Sequence, residues 1–340
     1  MQLSVTPNDR IPYKIVYQDD DLAIIFKPAG VVTQPGVKHQ HNSLLNGLFS
    51  VWGQRLQQLG KRRDYGLLHR LDRGTSGLLA IGLSIEGYDG LRTAFTERRV
   101  TKNYLAIVDG PFKRKTGTCR VPIAEQRKMG RKKAIVASDP SHHKFNAHSM
   151  HDAHQKRDFK KIKSRSFKSI KDPQGNFKKK QEKLKYSQGK SKKLQARSQS
   201  SQARSQSSQA TPKTHSANPL HFQTAITHFQ TLNQGHSASV LRCTLETGRL
   251  HQIRAHMAYL GHPVVGDFEY GGKRAMNVLM RSISRDTLAL HSGSLQFKHP
   301  VTGEPIYFEY PPDEPILSLL DSLNVSTTWP SAIIRKGSNA

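Results

Sequence analysis

The chain has 340 residues, a formal net charge of +28 and a sequence pI of about 10.2. Such an excess of positive charge is typical of proteins that bind a polyanion, most often nucleic acid. Its two cysteines, Cys119 and Cys243, lie far apart and exclude a zinc ribbon or a disulfide framework. The N-terminus lacks the apolar core of a signal peptide, and no apolar run approaches the roughly 18 residues that span a bilayer. We therefore expect a cytoplasmic protein without a membrane partner.

Short strands and helices alternate in the first part of the chain. The runs at residues 14–17 and 22–26 flank an acidic turn and predict a hairpin. Apolar residues at helical spacing predict a helix over residues 43–59, ended by Gly60, and Ser84 is a good N-cap for a second helix. Further strands are predicted over residues 78–83, 104–108 and 134–137.

The composition changes over residues 139–218, where Lys, Ser, Gln and His dominate. Residues 127–218 contain 25 Lys and Arg against 5 Asp and Glu, and therefore hold most of the net charge. The heptapeptide ARSQSSQ occurs twice in tandem without an apolar position. Because such a segment cannot offset the entropy lost on folding, we interpret residues 139–218 as a basic, low-complexity, disordered insertion.

Order resumes after the insertion, with strands predicted over residues 222–232 and 238–245 and a helix over residues 249–260. We expect residues 1–138 and 219–330 to be two parts of one domain. The insertion would then be an overgrown hairpin loop between the strands at residues 134–138 and 222–232, since closure entropy rises slowly with loop length. Residues 331–340 are expected to be a disordered tail.

The most informative loop is LLHRLDRGTSGLLAIGL, residues 67–83, in which Asp72 stands between Arg70 and Arg73. Charge beside a strand with a buried pattern is costly unless it is paired or used. The turn that follows contains two glycines and two hydroxyl residues, and it would present Asp72 to a cleft. Taken alone, this loop is equally well interpreted as an arginine-rich surface loop.

Two further stretches are RRVTKNYLAIVDG, residues 98–110, and TGRLHQIRAHMAYLGHPVVGD, residues 247–267. By itself, Tyr104 in the first of these would be core packing of a strand. In the second, His251 and His256 are five residues apart, which does not fit the i, i+4 spacing of a helical metal pair.

Together the three stretches resemble the signature motifs of the RluA-type RNA pseudouridine synthases. The similarity extends to DDLAIIFKPAGVVTQPG and ALHSGSLQFKHPVTGE, and so covers nearly all of the chain outside the insertion. The resemblance implies an α+β fold, with a mixed, largely antiparallel sheet bisected by a central basic cleft. It also implies a catalytic domain that isomerises uridines of structured RNA to pseudouridine without cofactor or metal, and we expect a monomer.

The resemblance assigns roles to individual residues. Asp72 matches the family's catalytic aspartate, Tyr104 its active-site tyrosine, and Arg254 the arginine that pairs with the aspartate. The expected substrate-binding residues are Arg70, which matches a position that enters the RNA stack, Ile253, which matches an apolar contact to uracil, and the nearby His69, Arg249 and His251.

The chemistry is consistent with these roles. A carboxylate beside the anomeric carbon can attack it or stabilise positive charge there. Whether Asp72 does this or first abstracts a sugar proton stays open. A bidentate pair with Arg254 would keep Asp72 ionised and aimed, and a uridine in folded RNA must be flipped out to reach it.

Two features depart from the family pattern. We expect the small RNA-binding domain that precedes the catalytic domain in many relatives to be missing, and the insertion has no counterpart. The insertion is either a non-specific RNA tether or a solvated loop. The RNA is ribosomal or transfer RNA, of which we favour ribosomal RNA. The alternatives are a non-catalytic RNA-binding or ribosome assembly factor of the same fold, and a glycosidase or nuclease. A glycosidase or a nuclease would need a second carboxylate or metal ligands, which the first motif lacks.

Overall fold

The computed structural model describes residues 3–128, 131–137, 220–272, 286–325 and 332–337, so the insertion predicted over residues 139–218 lies outside the described residues. The strands in these ranges are β1 (Lys14–Gln18), β2 (Leu22–Lys27), β3 (Ser76–Gly82), β4 (Thr101–Asp109), β5 (Thr116–Cys119), β6 (Ile123–Lys128), β7 (Arg131–Val136), β8 (Thr227–Gln234), β9 (Ala238–Leu245), β10 (Leu290–Lys298), β11 (Pro305–Glu309) and β12 (Ile333–Lys336). The helices are α1 (Leu44–Leu59), α2 (Ile85–Thr96), α3 (Gln252–Tyr259) and α4 (Glu314–Ser322), with a 3-10 helix over Lys61–Gly66.

Ten of these strands form one sheet in the order β1-β2-β3-β10-β4-β9-β8-β5, with β11 joined to β10 and β12 joined to β11. Among the pairs of named strands in the described ranges, only β3 with β10 is parallel. The predicted α+β class with a mixed, largely antiparallel sheet is therefore confirmed. Strands from both sides of the insertion alternate in this sheet, since β4 lies between β10 and β9.

Several local predictions are confirmed. The acidic turn joins β1 and β2 in an antiparallel hairpin. The Ser43 hydroxyl caps α1, which ends at Gly60, and the Ser84 hydroxyl accepts a hydrogen bond from the Gly87 N–H at the start of α2. The helices cover both faces of the sheet: α1 packs in the larger apolar cluster with Ile25 and Leu79, while α2 packs in a second cluster with Leu78 and Ala80.

The strands that flank the insertion do not form the predicted hairpin. β7 pairs with β6, and β8 lies between β5 and β9. The sequence pattern missed β5 and β6 because their residues are largely polar and do not alternate clearly. The two ends nevertheless meet at one place. The Ala137 N–H donates to the Pro122 carbonyl at 2.9 Å, and the Ile123 N–H donates to the Gln223 carbonyl at 3.0 Å.

Two boundaries also differ from the prediction. α3 begins at Gln252 and not at Arg249, because His251 has a left-handed backbone with φ of 49°. The Gln252 side chain organises this turn by accepting hydrogen bonds from the Arg249 N–H and the Thr247 hydroxyl. The expected disorder of residues 331–340 is wrong for Ile333–Lys336, which pairs with β11 as an edge strand.

Candidate active site

Asp72 lies on a loop that leads into β3 and is held rigidly against residues 286–292. The Thr75 N–H donates to the Asp72 carbonyl at 3.0 Å, and the Leu288 N–H donates to the Gly74 carbonyl at 2.8 Å. Gly77 has φ of +121°, and a side chain there would collide with the Ser292 backbone. The two glycines thus allow a close backbone approach that fixes the loop. The Asp72 side chain stays 24% exposed.

Arg254, on the first turn of α3, makes the predicted pair with Asp72. Its Nη1 donates to Asp72 Oδ2 at 2.8 Å. This is a single hydrogen bond and not the expected bidentate pair. The two-pronged contact goes instead to Asp267, with Nε to Oδ2 at 2.7 Å and Nη2 to Oδ1 at 3.0 Å, and Nη2 also donates to Glu269 Oε2 at 3.0 Å.

Asp267 is fully buried and is the hub of this network. Besides the two hydrogen bonds from Arg254, its Oδ1 accepts the backbone N–H groups of Glu269 at 3.1 Å and Tyr270 at 3.2 Å. Its segment is fixed to β4, since the Val265 N–H donates to the Ile107 carbonyl at 2.9 Å. The sequence placed Asp267 within a motif but gave it no role; a carboxylate directly after the apolar run HPVVG was the available signal.

His251 lies on the other side of Asp72. Its Nε2 is 3.7 Å from Asp72 Oδ1, and its Nδ1 is 2.9 Å from the Tyr270 hydroxyl and 3.4 Å from Glu269 Oε2. Since the Tyr270 oxygen accepts the Ala134 N–H at 2.9 Å, its own proton is free for Nδ1. In the tautomer in which Tyr270 donates to Nδ1, the imidazole carries its proton on Nε2, on the side of Asp72.

The network contains one arginine, Arg254, which is paired with three carboxylates. Burial works against the charge of Arg254, but the hydrogen bonds that Arg254 donates to Asp267 and the nearby charge of Asp72 raise the pKa of Arg254 above its usual range. Burial lowers the pKa of His251, although the charge of Asp72 opposes this, so the imidazole is neutral at pH 7.

Tyr104 is buried on β4 in the same apolar cluster as Ile253. Burial, with a smaller contribution from the charge of Asp72, raises the pKa of Tyr104 to about 12, while a hydrogen bond with Ser292 opposes the shift. The phenol is therefore neutral at pH 7. Tyr104 and Ile253 thus belong to one extended apolar core that also includes Cys243 of β9 and Met257 of α3.

The other predicted substrate-binding residues lie in different surroundings. His69 Nε2 accepts the Ala80 N–H at 3.1 Å, and its ring lies 4.9 Å from that of Phe95. Burial and the charge of Lys102 lower the pKa of His69 to about 3. The expectation that His69 contacts substrate is not supported by these contacts, which position β3. Arg70 and Arg249 are exposed, with Arg70 bonded to Gln34 and Arg249 to the Thr224 carbonyl.

An open cavity of about 350 Å³ lies over the network, and its lining includes Asp72, His251, Arg254, Asp267, Glu269 and residues 286–288. A larger hollow of about 690 Å³ beside α1 contains neither Asp72 nor Arg254. The candidate site is therefore identified by the charged residues that line the smaller cavity, and not by cavity volume.

Among the described residues, Asp19, Asp21 and His299 could bring three metal-ligating atoms within 4.8 Å. Their atoms already have hydrogen-bond partners. Asp19 accepts from the Leu22 N–H and lies 3.0 Å from His299 Nε2, while Asp21 accepts from the Ser84 hydroxyl. This cluster closes the β1–β2 turn.

Comparison with known proteins places this site in a family. The sequence profile described as RNA pseudouridylate synthase matches residues 21–259, a span that contains Asp72, Tyr104 and Arg254. The chain therefore belongs to the RNA pseudouridylate synthase family, in its RluA-type branch, and is an RNA pseudouridine synthase, which is an isomerase.

Individual relatives agree with this assignment. The chain is 28% identical over 314 residues to a ribosomal large subunit pseudouridine synthase D of Zymomonas mobilis, covering 92% of this chain and 73% of the relative. It is 27% identical over 343 residues to the enzyme of that name from Xanthomonas campestris, covering 98% and 76%. The fold is similar to that of human RNA pseudouridylate synthase domain containing 4, with a TM-score of 0.51, 16% identity, and coverage of 91% and 92%. No helix in the described ranges is long and apolar enough to cross a membrane.

Proposed function

We propose that this protein converts specific uridines of large-subunit ribosomal RNA into pseudouridine in the cytoplasm, with Asp72, Tyr104 and Arg254 as its catalytic residues. The observation that carries the proposal is the 2.8 Å hydrogen bond between Arg254 Nη1 and Asp72 Oδ2 at the edge of an open cavity. Relatives named as ribosomal large subunit pseudouridine synthases support the choice of RNA.

Asp72 is suited to act at the sugar. Pseudouridine forms when the bond between uracil N1 and the anomeric carbon breaks and C5 takes its place. A carboxylate can attack that carbon, stabilise the positive charge on it, or take a sugar proton. Each role requires an ionised carboxylate with a fixed direction, which the Arg254 hydrogen bond supplies. The isomerisation exchanges no electrons, so we propose that it proceeds without cofactor or metal.

The detached uracil must turn without leaving the site. Tyr104 and Ile253 belong to one apolar cluster and provide flat and branched surfaces against which the ring can rotate. The neutral phenol of Tyr104 can take the C5 proton only as it passes its own proton on. The Ser292 hydroxyl cannot be the acceptor, because it donates to the Leu78 carbonyl at 3.2 Å. Asp72, whose charge acts on Tyr104 and which is a free carboxylate once C5 has bonded to the anomeric carbon, is the base that can receive that proton.

A hydrolase is the weaker interpretation. The structure does bring two further carboxylates towards Asp72, contrary to the expectation from the first motif. Both are bound by Arg254, and Asp267 is fully buried with its oxygens occupied by four hydrogen bonds. Asp267 is therefore not available to activate water.

Pseudouridine mapping across all RNAs tests the proposal, using cells with the gene, cells without it, and cells that carry the Asp72→Asn variant. We expect one or a few large-subunit ribosomal sites to disappear in the second and third strains. Loss of transfer RNA sites alone would reassign the substrate. Sites retained by the Asp72→Asn strain would favour the non-catalytic assembly factor, and unchanged maps in both strains would refute the proposal.

A further inference from the structure

Lys102, near the start of β4, is a partly buried cation that makes no hydrogen bond or ion pair within the described ranges of the chain. Its Nζ lies 5.5 Å from the centroid of the Phe95 ring, and burial lowers the pKa of Lys102. Removing an ammonium from water without giving it an acceptor costs free energy. Among the described residues, the half-buried charge of Lys102 therefore has no acceptor that offsets its burial.

Two buried cations, Arg254 and Lys27, have hydrogen-bond acceptors. Arg254 binds three carboxylates, and Lys27 Nζ donates to the backbone carbonyls of Pro28 at 2.9 Å and Val31 at 2.8 Å. Lys102, which is half-buried, differs from these two buried cations because it has no acceptor among the described residues.

The location of Lys102 relates it to the active site. Side chains two residues apart on a strand point to the same face, so Lys102 and Tyr104 share a face about 7 Å apart. A Cβ at Gly248 would lie 3.7 Å from Lys102 Nζ, and Gly248 precedes His251 by three residues. On the other side, the Lys102 charge acts on His69, three residues before Asp72. The ammonium therefore lies between the two chain segments that deliver Asp72 and Arg254.

We propose that Lys102 binds a backbone phosphate of the RNA beside the target uridine, and that this phosphate supplies the counter-ion that Lys102 does not have among the described residues. The inference rests on the proposed function, because the substrate must be RNA. RNA brings one phosphate with every nucleotide, and an ammonium binds phosphate as a point charge. Gly248 leaves the ammonium reachable from the side of the α3 segment.

The test compares Lys102→Met with wild type in the full chain. Methionine keeps the apolar stem beside Phe95 and removes the charge. We expect the melting temperature to rise, because a desolvated charge is gone. With an unmodified transcript of large-subunit ribosomal RNA, the half-saturating RNA concentration in single-turnover pseudouridine formation should rise by about tenfold, while the rate at saturation stays within about threefold. The slope of log affinity against log salt should become shallower by about 0.7–0.9.

Two variants serve as controls. Lys14→Met removes an exposed lysine from the edge strand β1 and should change neither the melting temperature nor the salt slope. Lys102→Arg keeps the charge and should retain most of the slope. A Lys102→Met protein with a lower melting temperature and unchanged RNA binding would show a structural lysine and overturn the proposal.

A higher melting temperature with an unchanged salt slope would also overturn it. If wild type binds this transcript but does not modify it, the proposed function fails, and the salt slope alone decides the role of Lys102.

Discussion

Asp267 holds Arg254 by two hydrogen bonds of 2.7 and 3.0 Å, and so leaves only Nη1 of the guanidinium for Asp72. A guanidinium is planar and rigid, so fixing one edge of it fixes the direction of the remaining donor. Asp267 is itself fixed by two backbone N–H groups. The direction of the Asp72 carboxylate is thus set by Asp267, a buried aspartate at the wall of the same cavity.

Asp267→Asn should lower both stability and activity. The amide cannot accept every hydrogen bond that the carboxylate accepts, and a buried pair broken on one side costs about 3–5 kcal/mol. The measurements are the free energy of unfolding and the rate of pseudouridine formation below the melting temperature. Asp286→Asn is the control, since Asp286 lines the same cavity but pairs with Arg73 at the surface, and it should cost less than about 1 kcal/mol. Equal effects of the two substitutions would show that Asp267 does not direct Arg254.

Tyr104→Phe should retain uracil binding and stop the last proton transfer. The ring stays in the apolar cluster, while the hydroxyl that hydrogen-bonds Ser292 is lost. We expect release of tritium from RNA with C5-labelled uridine to stall, although the glycosidic bond is cleaved. Tyr65→Phe, which changes a tyrosine packed against Phe49, should release tritium at the wild-type rate. Unchanged release from Tyr104→Phe would remove this residue from the mechanism.

The stability of the protein should depend on Lys27 at alkaline pH. Burial lowers the pKa of Lys27 to about 7, although the charges of Asp72 and Asp313 oppose this shift. In the unfolded chain the value is about 10.4, so between these values the unfolded state binds a proton that the folded state does not. Stability contributed at Lys27 therefore rises with pH across this window and is constant below it.

Lys27→Met removes this dependence and leaves the carbonyls of Pro28 and Val31 without their donor. The difference in melting temperature between wild type and Lys27→Met should grow from pH 7 to pH 9.5, whereas Lys14→Met should show no such trend. A difference that does not change with pH would mean that Lys27 stays charged in the fold.

Deleting residues 139–218 and joining the ends by a short Gly-Ser link should leave a folded, active enzyme. Both ends approach one place, since Ala137 bonds to Pro122 and Gln223 to Ile123. None of the proposed catalytic residues lies in the deleted part. If the insertion tethers RNA, affinity should fall and its salt dependence should become shallower. An unfolded product would show that the segment belongs to the core, and an unchanged salt slope would identify a solvated loop.

The ends of two helices could be predicted from the sequence alone. Ser43, Gly60 and Ser84 act through neighbours within a few residues, so their capping roles are readable from the sequence. The pair of Asp72 and Arg254 is 182 residues apart and was predictable only through the family resemblance, since no periodicity connects residues so distant.

Other features of the fold and the site depend on tertiary contacts that the sequence pattern does not show. In the sequence, Asp267 follows an apolar run, a pattern typical of a surface turn. In the fold, Asp267 is buried and accepts hydrogen bonds from Arg254. His69 lies in a motif that suggests contact with the substrate. In the fold, it accepts the Ala80 N–H of β3 and its ring packs against Phe95. The partners of β7 and β8 are set by polar strands with weak patterns, and so the predicted hairpin was wrong.

The role of Asp72 as the catalytic carboxylate is tested most directly by Asp72→Asn in purified full-length protein. The amide keeps the size of the side chain but cannot act as nucleophile, charge stabiliser or base. We expect pseudouridine formation below about 1% of wild type, the scale of losing a group that acts in the chemical step. Affinity for the RNA should stay within a few-fold, and Asp286→Asn should remain active. Turnover by Asp72→Asn above that level, with RNA binding intact, would contradict the assignment of Asp72 as the catalytic carboxylate.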